Sequence, residues 1–189
     1  AMLLIEVDGD AAACESASLG VADACDASGA SEVLVAQEAA QRERLWAARK
    51  EMNPAVRRLA KNKLSEDVVV PRQRQGELLA RVRATGERFG VRTLAYGHAG
   101  DGNFHVNFLW DEPDEVPRVD QAIEALFRDV IALGGTLTGE HGIGVLKAPF
   151  LPLEQPPELI ALQRDVKRDE LRGLLDPGKI FPVCGHRDC

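Results

Sequence analysis

The chain has 189 residues, 45% of them hydrophobic and 28% charged, which suits a soluble globular protein of one domain, or one large domain with small additions. A net charge of -7 and a pI near 5.2 leave no basic face for a phosphate backbone, so nucleic acid is not an expected partner. No apolar run approaches the roughly 18 to 20 residues that cross a bilayer, so no transmembrane segment is expected.

The start, "AMLLIEVDGD", also lacks the basic region and long apolar run of a secretory signal. Cys14, Cys25, Cys184 and Cys189 are too sparse for a disulfide framework, and a reducing, cytoplasmic setting is expected, in solution or peripheral to the membrane.

In chain order, "MLLIEVDG" reads as a buried strand, the Ala-rich stretch after it as a helix, and "SEVLVAQ", around residues 32–37, as a second strand. A buried strand that begins at residue 2 has none of the loose residues that usually precede a first element, which suggests an excised piece of a longer chain. "AAQRERLWAARKEMNPAVRRLA" is a helix until Pro54 interrupts it. "EDVVVPR" is a short strand ended by Pro71, and "GELLARVRATGERFG" an amphipathic helix with Gly90 as its stop.

"VRTLAYGHAGDGNFHVNFLW" follows as strand, glycine turn and strand, then the helix "VDQAIEALFRDVIALGG". After "TLTGEHGIGVLK" come a proline-rich bend between Pro149 and Pro157, the helix "ELIALQRDVKRDELRGLL" and the tail "DPGKIFPVCGHRDC". Two β-α-β units, near residues 2–37 and 68–109, predict an α+β fold, a ferredoxin-like antiparallel sheet with helices packed on one face.

Polar chemistry concentrates in two stretches. "YGHAGDGNFHVN" carries His98 and His105, seven residues apart. Its glycines disfavour a helix, and an unbroken strand would put the imidazoles on opposite faces. A turn at "AGDG" lets them converge. Beyond it, Phe104, Val106 and Phe108 point to one side and His105 and Asn107 to the other, one face core and one a polar site.

"GGTLTGEHGIGVLK" carries Glu140 and His141 in a segment too rich in glycine for a stable helix. Neighbours in an extended chain face opposite ways, so the two are expected to serve different tasks. Two histidines and a carboxylate are a common ligand set for Zn²⁺, Mn²⁺ or Fe²⁺ with positions left open for substrate; a hydrogen-bonded structural loop is the alternative. Lys147 reads equally as a solvated lysine or an active-site group.

Together, "YGHAGDGNFHVN" and "GGTLTGEHGIGVLK" resemble the C-terminal domain of FAD-linked 2-hydroxy acid dehydrogenases: the glycolate oxidase flavoprotein, D-lactate dehydrogenase and D-2-hydroxyglutarate dehydrogenase group, of the vanillyl-alcohol oxidase type. "LLIEVDG", "LWAARKEMNPA" and "LLDPGKIF" support the resemblance over essentially the whole chain. It implies a substrate-binding, or cap, domain whose FAD-binding domain lies elsewhere in the full-length protein. The chain has no G-x-G-x-x-G, and alone is expected neither to hold FAD tightly nor to oxidise substrate.

The resemblance also implies roles: His98, His105 and Glu140 as ligands of a divalent metal, His141 as general base at the substrate hydroxyl, Asn107 on the substrate side and Arg49 as a carboxylate clamp. A small 2-hydroxy acid would be oxidised to the 2-oxo acid by hydride transfer to flavin, with other oxidase subunits as further partners. Lys61 and Lys63 are additional substrate-contact candidates, and Cys184, His186 and Cys189 an incomplete metal shell or a loose terminus. Two rival readings remain: a self-contained metal-dependent hydrolase or oxygenase using His98, His105 and Glu140, and a non-catalytic small-acid binding module.

Overall fold

The computed structural model describes residues 1–166. The chain divides after Val56 into two compact units. In the first, α1 (Ala11–Ala27) starts at Asp10, whose carboxylate accepts a hydrogen bond of 2.8 Å from the Ala13 N–H. α2 (Ala39–Lys50) and α3 (Met52–Arg57) follow. The break between them falls at Glu51, ahead of the expected one, and Pro54 is accommodated in the first turn of α3, where its missing N–H has no helical partner to lose.

Both expected N-terminal strands are absent. Residues 2–8 and 32–37 form no ladder, and Met2, Leu3, Leu34 and Val35 are exposed. Apolar composition makes a segment fit for a sheet, but a strand exists only when a neighbour takes its N–H and C=O groups. Of the first expected β-α-β unit, only the helix forms.

The second unit carries the sheet. β1 (Asn62–Val69) leads through a tight turn at Pro71 into α4 (Gln75–Phe89), which Gly90 ends in the left-handed conformation, φ 63°. β2 (Arg92–His98), the turn at 99–102, β3 (Asn103–Trp110) and α5 (Val116–Ala132) complete the pattern. Strand order is β1-β3-β2 with both pairings antiparallel, so β1 and β2 run parallel with β3 inserted between them. This is the split β-α-β of a ferredoxin-like sheet. A fourth position is reduced to one antiparallel bridge between Thr136 and Val69, on the outer edge of β1.

Helices α4 and α5 cover one face. Leu78 and Val82 of α4 and Val119, Ile123, Leu126, Phe127 and Val130 of α5 pack on Val68, Phe104, Val106 and Phe108. The α5 positions recur at helical spacing, and their burial holds the sheet flat against the helix pair. After α5 come the single turn α6 (Gly144–Lys147), a 3-10 stretch at Ala148–Leu153 through the expected proline bend, and α7 (Pro157–Val166). Among the described residues no helix is long and apolar enough to cross a membrane.

Candidate functional site

The uncovered face of the sheet is set by register. His105 lies between Asp67 of β1 and Tyr96 of β2, Asn103 between Val69 and His98, and Asn107 between Ser65 and Leu94. Directly opposed residues share a face. Polar groups on three strands thus meet opposite the core, as the alternation along β3 required. That face is more enclosed than expected, because Asn107 and Asp67 are fully buried.

The turn brings the two histidines together. Gly102 adopts φ 80°, and its N–H donates to the His98 carbonyl at 3.1 Å. The Asp101 carboxylate accepts from the Asn103 N–H at 3.0 Å, and Gln75 donates to the Ala99 carbonyl at 2.7 Å. The rings of His98 and His105 are then 6.1 Å apart, edge to face.

Glu140 and His141 arrive on a bend, and the expectation that they face opposite sides of an extended strand is overturned. The N–H groups of Gly139, Glu140 and His141 all donate to Asp67 Oδ2, at 2.9, 2.8 and 2.9 Å, which curls the backbone round one oxygen. Both side chains therefore approach His105. Glu140 Oε1 is 3.5 Å from His105 Nε2, while the His141 ring stacks on that of His105, centroids 5.4 Å apart.

The ligand atoms of His98, His105 and Glu140 lie within 4.8 Å of one another. Nitrogen and oxygen ligands about 2 Å from a tetrahedral ion stand about 3.3 Å apart, so the 3.5 Å between His105 and Glu140 suits a shared cation. Imidazole and carboxylate donors match Zn²⁺, Mn²⁺ or Fe²⁺. Buried acceptors without a donor on the same face, Asp67 Oδ1, Asn103 Oδ1 and Asn107 Oδ1, add negative potential there.

Burial and neighbouring charges act in opposing ways on two groups of the site. Burial, with repulsion from His141 and His98, pushes the His105 imidazole below its ordinary value against the pull of Asp67 and Glu140, favouring the neutral ligating form. For Asp67 burial favours the acid, but the three backbone donors and His141 outweigh it and hold the carboxyl below its ordinary range.

Asp67 was not among the residues singled out from the sequence, although a charge inside the apolar run "EDVVV" was a signal for it. Lys147 is not solvated. It is buried, donating to the carbonyls of Asp67 and Leu137 at 2.6 and 2.7 Å, with Glu66 Oε2 at 3.6 Å. Asn107 donates to the carbonyls of Leu94 and His105. Lys61 pairs with Glu112 on the surface, and Lys63 is partly buried. Arg49 belongs to the N-terminal unit, partly buried in the last turn of α2. Cys14 and Cys25 are free thiols; Cys184, His186 and Cys189 lie outside the described residues.

The family model described as FAD linked oxidases, C-terminal domain, matches residues 1–181. The chain is 35% identical over 184 residues to the glycolate oxidase subunit GlcD of Bacillus subtilis (strain 168), covering 96% of this chain and 39% of that protein. To the subunit of the same name from Escherichia coli (strain K12) it is 33% identical over 186 residues, covering 97% and 37%. A mitochondrial D-lactate dehydrogenase (cytochrome) of Arabidopsis thaliana is 29% identical over 161 residues, covering 82% and 28%. The chain thus spans well under half the length of these relatives.

Proposed function

The chain belongs to the family of FAD-linked oxidase C-terminal domains, and on that footing we propose that it binds the substrate and a divalent metal in a flavoenzyme oxidising a small 2-hydroxy acid, of glycolate or D-lactate type, to the 2-oxo acid. The observation that carries this reading is the convergence of His98, His105 and Glu140, with His141 stacked beside them. Its partners would be the FAD-binding domain of the full-length protein and other oxidase subunits.

Lewis acidity toward the hydroxyl and carboxylate oxygens is what a divalent cation held by His98, His105 and Glu140 would supply. Hydride acceptance is the chemistry FAD would supply, held by a domain other than this one. His141 takes the proton of the 2-hydroxyl: its side chain is 59% exposed, and the Asp67 carboxylate lies 4.0 Å from Nδ1. Asn107 would support the substrate face from within: it is fully buried, and its amide donates to the carbonyls of Leu94 and His105. By the resemblance, Arg49 is the candidate clamp for the substrate carboxylate, for which a planar guanidinium fork is the suitable group.

Metal content and reductive half-reaction rate, measured side by side, test the assignment. The chain supplied with Zn²⁺ or Mn²⁺ should retain one ion, and His105→Ala or Glu140→Ala should release it. His141→Ala should keep the ion, while turnover of the complete flavoprotein with glycolate or D-lactate falls by about 10² to 10⁴. Arg49→Ala should raise KM and lower kcat together. Full metal loading in His105→Ala would show the ligand set to be wrong.

A further inference from the structure

Asp67 is the most enclosed charged group on the site face, its side chain 0% exposed, and its two oxygens have unlike surroundings. Oδ2 receives the three N–H groups of the 139–141 bend. Oδ1 has no donor and lies 3.9 Å from His105 Nδ1. The opposite nitrogen of that ring, Nε2, is the one facing Glu140. One imidazole therefore stands between an inner carboxylate and the outer ligands.

We propose that Asp67 is the positioning residue of the metal centre: Oδ2 folds the bend that presents Glu140, and Oδ1 orients His105 with Nδ1 protonated and Nε2 free for the cation. The inference rests on the metal reading given above. At 3.9 Å the Oδ1 to Nδ1 separation is too long for a hydrogen bond, and a shift of the ring by about 1 Å makes one. A carboxylate behind a ligating histidine fixes its tautomer and raises its basicity.

The bend is shaped to this carboxylate. A Cβ on Gly139 would stand 2.9 Å from Asp67 Oδ1 and 2.6 Å from Asn103 Nδ2, so only glycine lets the backbone lie so close. A competing arrangement, direct ligation by Asp67, His105 and His141, also brings ligand atoms within 4.8 Å. It is disfavoured because Asp67 is closed to solvent, whereas His98 and Glu140 are exposed and leave room for substrate.

The test uses the 189-residue chain labelled with ¹⁵N histidine. Long-range ¹H–¹⁵N spectra of the metal-free protein, assigned with His105→Gln, read the His105 tautomer, and competition with a chromophoric chelator reads Zn²⁺ affinity. Wild type should show Nδ1–H. In Asp67→Asn the new amide N–H donates to Nδ1, so the ring should switch to Nε2–H and Zn²⁺ should bind about 10- to 100-fold more weakly. The wild-type tautomer needs no substitution, so a variant that fails to fold leaves that arm intact.

Nε2–H in wild type, or Asp67→Asn with tautomer and Zn²⁺ affinity unchanged, overturns the proposal. Loss of Zn²⁺ in His141→Ala with retention in Glu140→Ala would make Asp67 a direct ligand and overturn it too. A wild-type chain that binds no Zn²⁺ overturns the metal reading together with this one, whereas unchanged affinity in Asp67→Asn overturns this one alone.

Discussion

Replacing Lys147 with Met should destabilise the C-terminal unit without touching any proposed ligand. Lys147 and Glu66 are 6% and 4% exposed, and Nζ ties the 137–147 segment to β1 through two carbonyls. The substitution keeps most of the volume but strands two acceptors and leaves Glu66 buried without its cation. Removing one partner of a buried pair costs about 3 to 5 kcal/mol, and relief of the lysine's own desolvation puts the expected loss at the lower end, about 3 kcal/mol. For a chain of this size that is a fall of about 10 °C in Tm.

Trp110 fluorescence in a Trp46→Phe background reports on the right unit, since Trp46 lies in α2 and Trp110 in β3. The loss should also depend on pH. Burial already raises the Glu66 carboxyl above its ordinary 4.5, against the opposing pull of Lys147, and without that pull it rises further. A raised carboxyl favours the fold fully below the unfolded value and loses that contribution as pH rises through the folded one. The variant should therefore recover toward wild type as pH falls toward 4.5. A loss under about 1 kcal/mol, or one that does not vary with pH, would refute the reasoning.

Gly97→Ala should destabilise the second unit by about 3 kcal/mol or more, because the new Cβ would stand 2.0 Å from the Asn103 carbonyl oxygen across the β2–β3 pair. Gly100→Ala, in open space two residues past β2, should stay within about 0.5 kcal/mol, both variants being measured by urea titration followed through Trp110 fluorescence. Glu115→Gln should weaken the turn that leads into α5, where the carboxylate accepts from the Asp111 and Glu112 N–H groups and pairs with Arg118. Those backbone donors hold its carboxyl at about 2, so its contribution is complete above 4.5 and is lost as pH falls through about 2. The stability gap between wild type and variant should accordingly close in acid; a gap independent of pH would discard that cap.

Local pattern determined much of this protein. The stop of α4 at Gly90, the strand, turn and strand around "AGDG", the apolar face of α5 and the meeting of His98 with His105 all follow from period, turn chemistry and alternation within a few residues. The two long motifs carried the family in the same way, since they are contiguous in the chain. Only the tertiary structure decided what depends on a distant partner. "LLIEVDG" and "SEVLVAQ" have strand composition but no neighbour to complete a ladder, so they stay outside the sheet. Asp67 stands 72 residues from Gly139, and no local rule announces that its carboxylate gathers three amides of a glycine-rich segment. That capture turns Glu140 and His141 toward one imidazole instead of away from each other, because a buried charge has to be satisfied by whatever donors the fold brings to it.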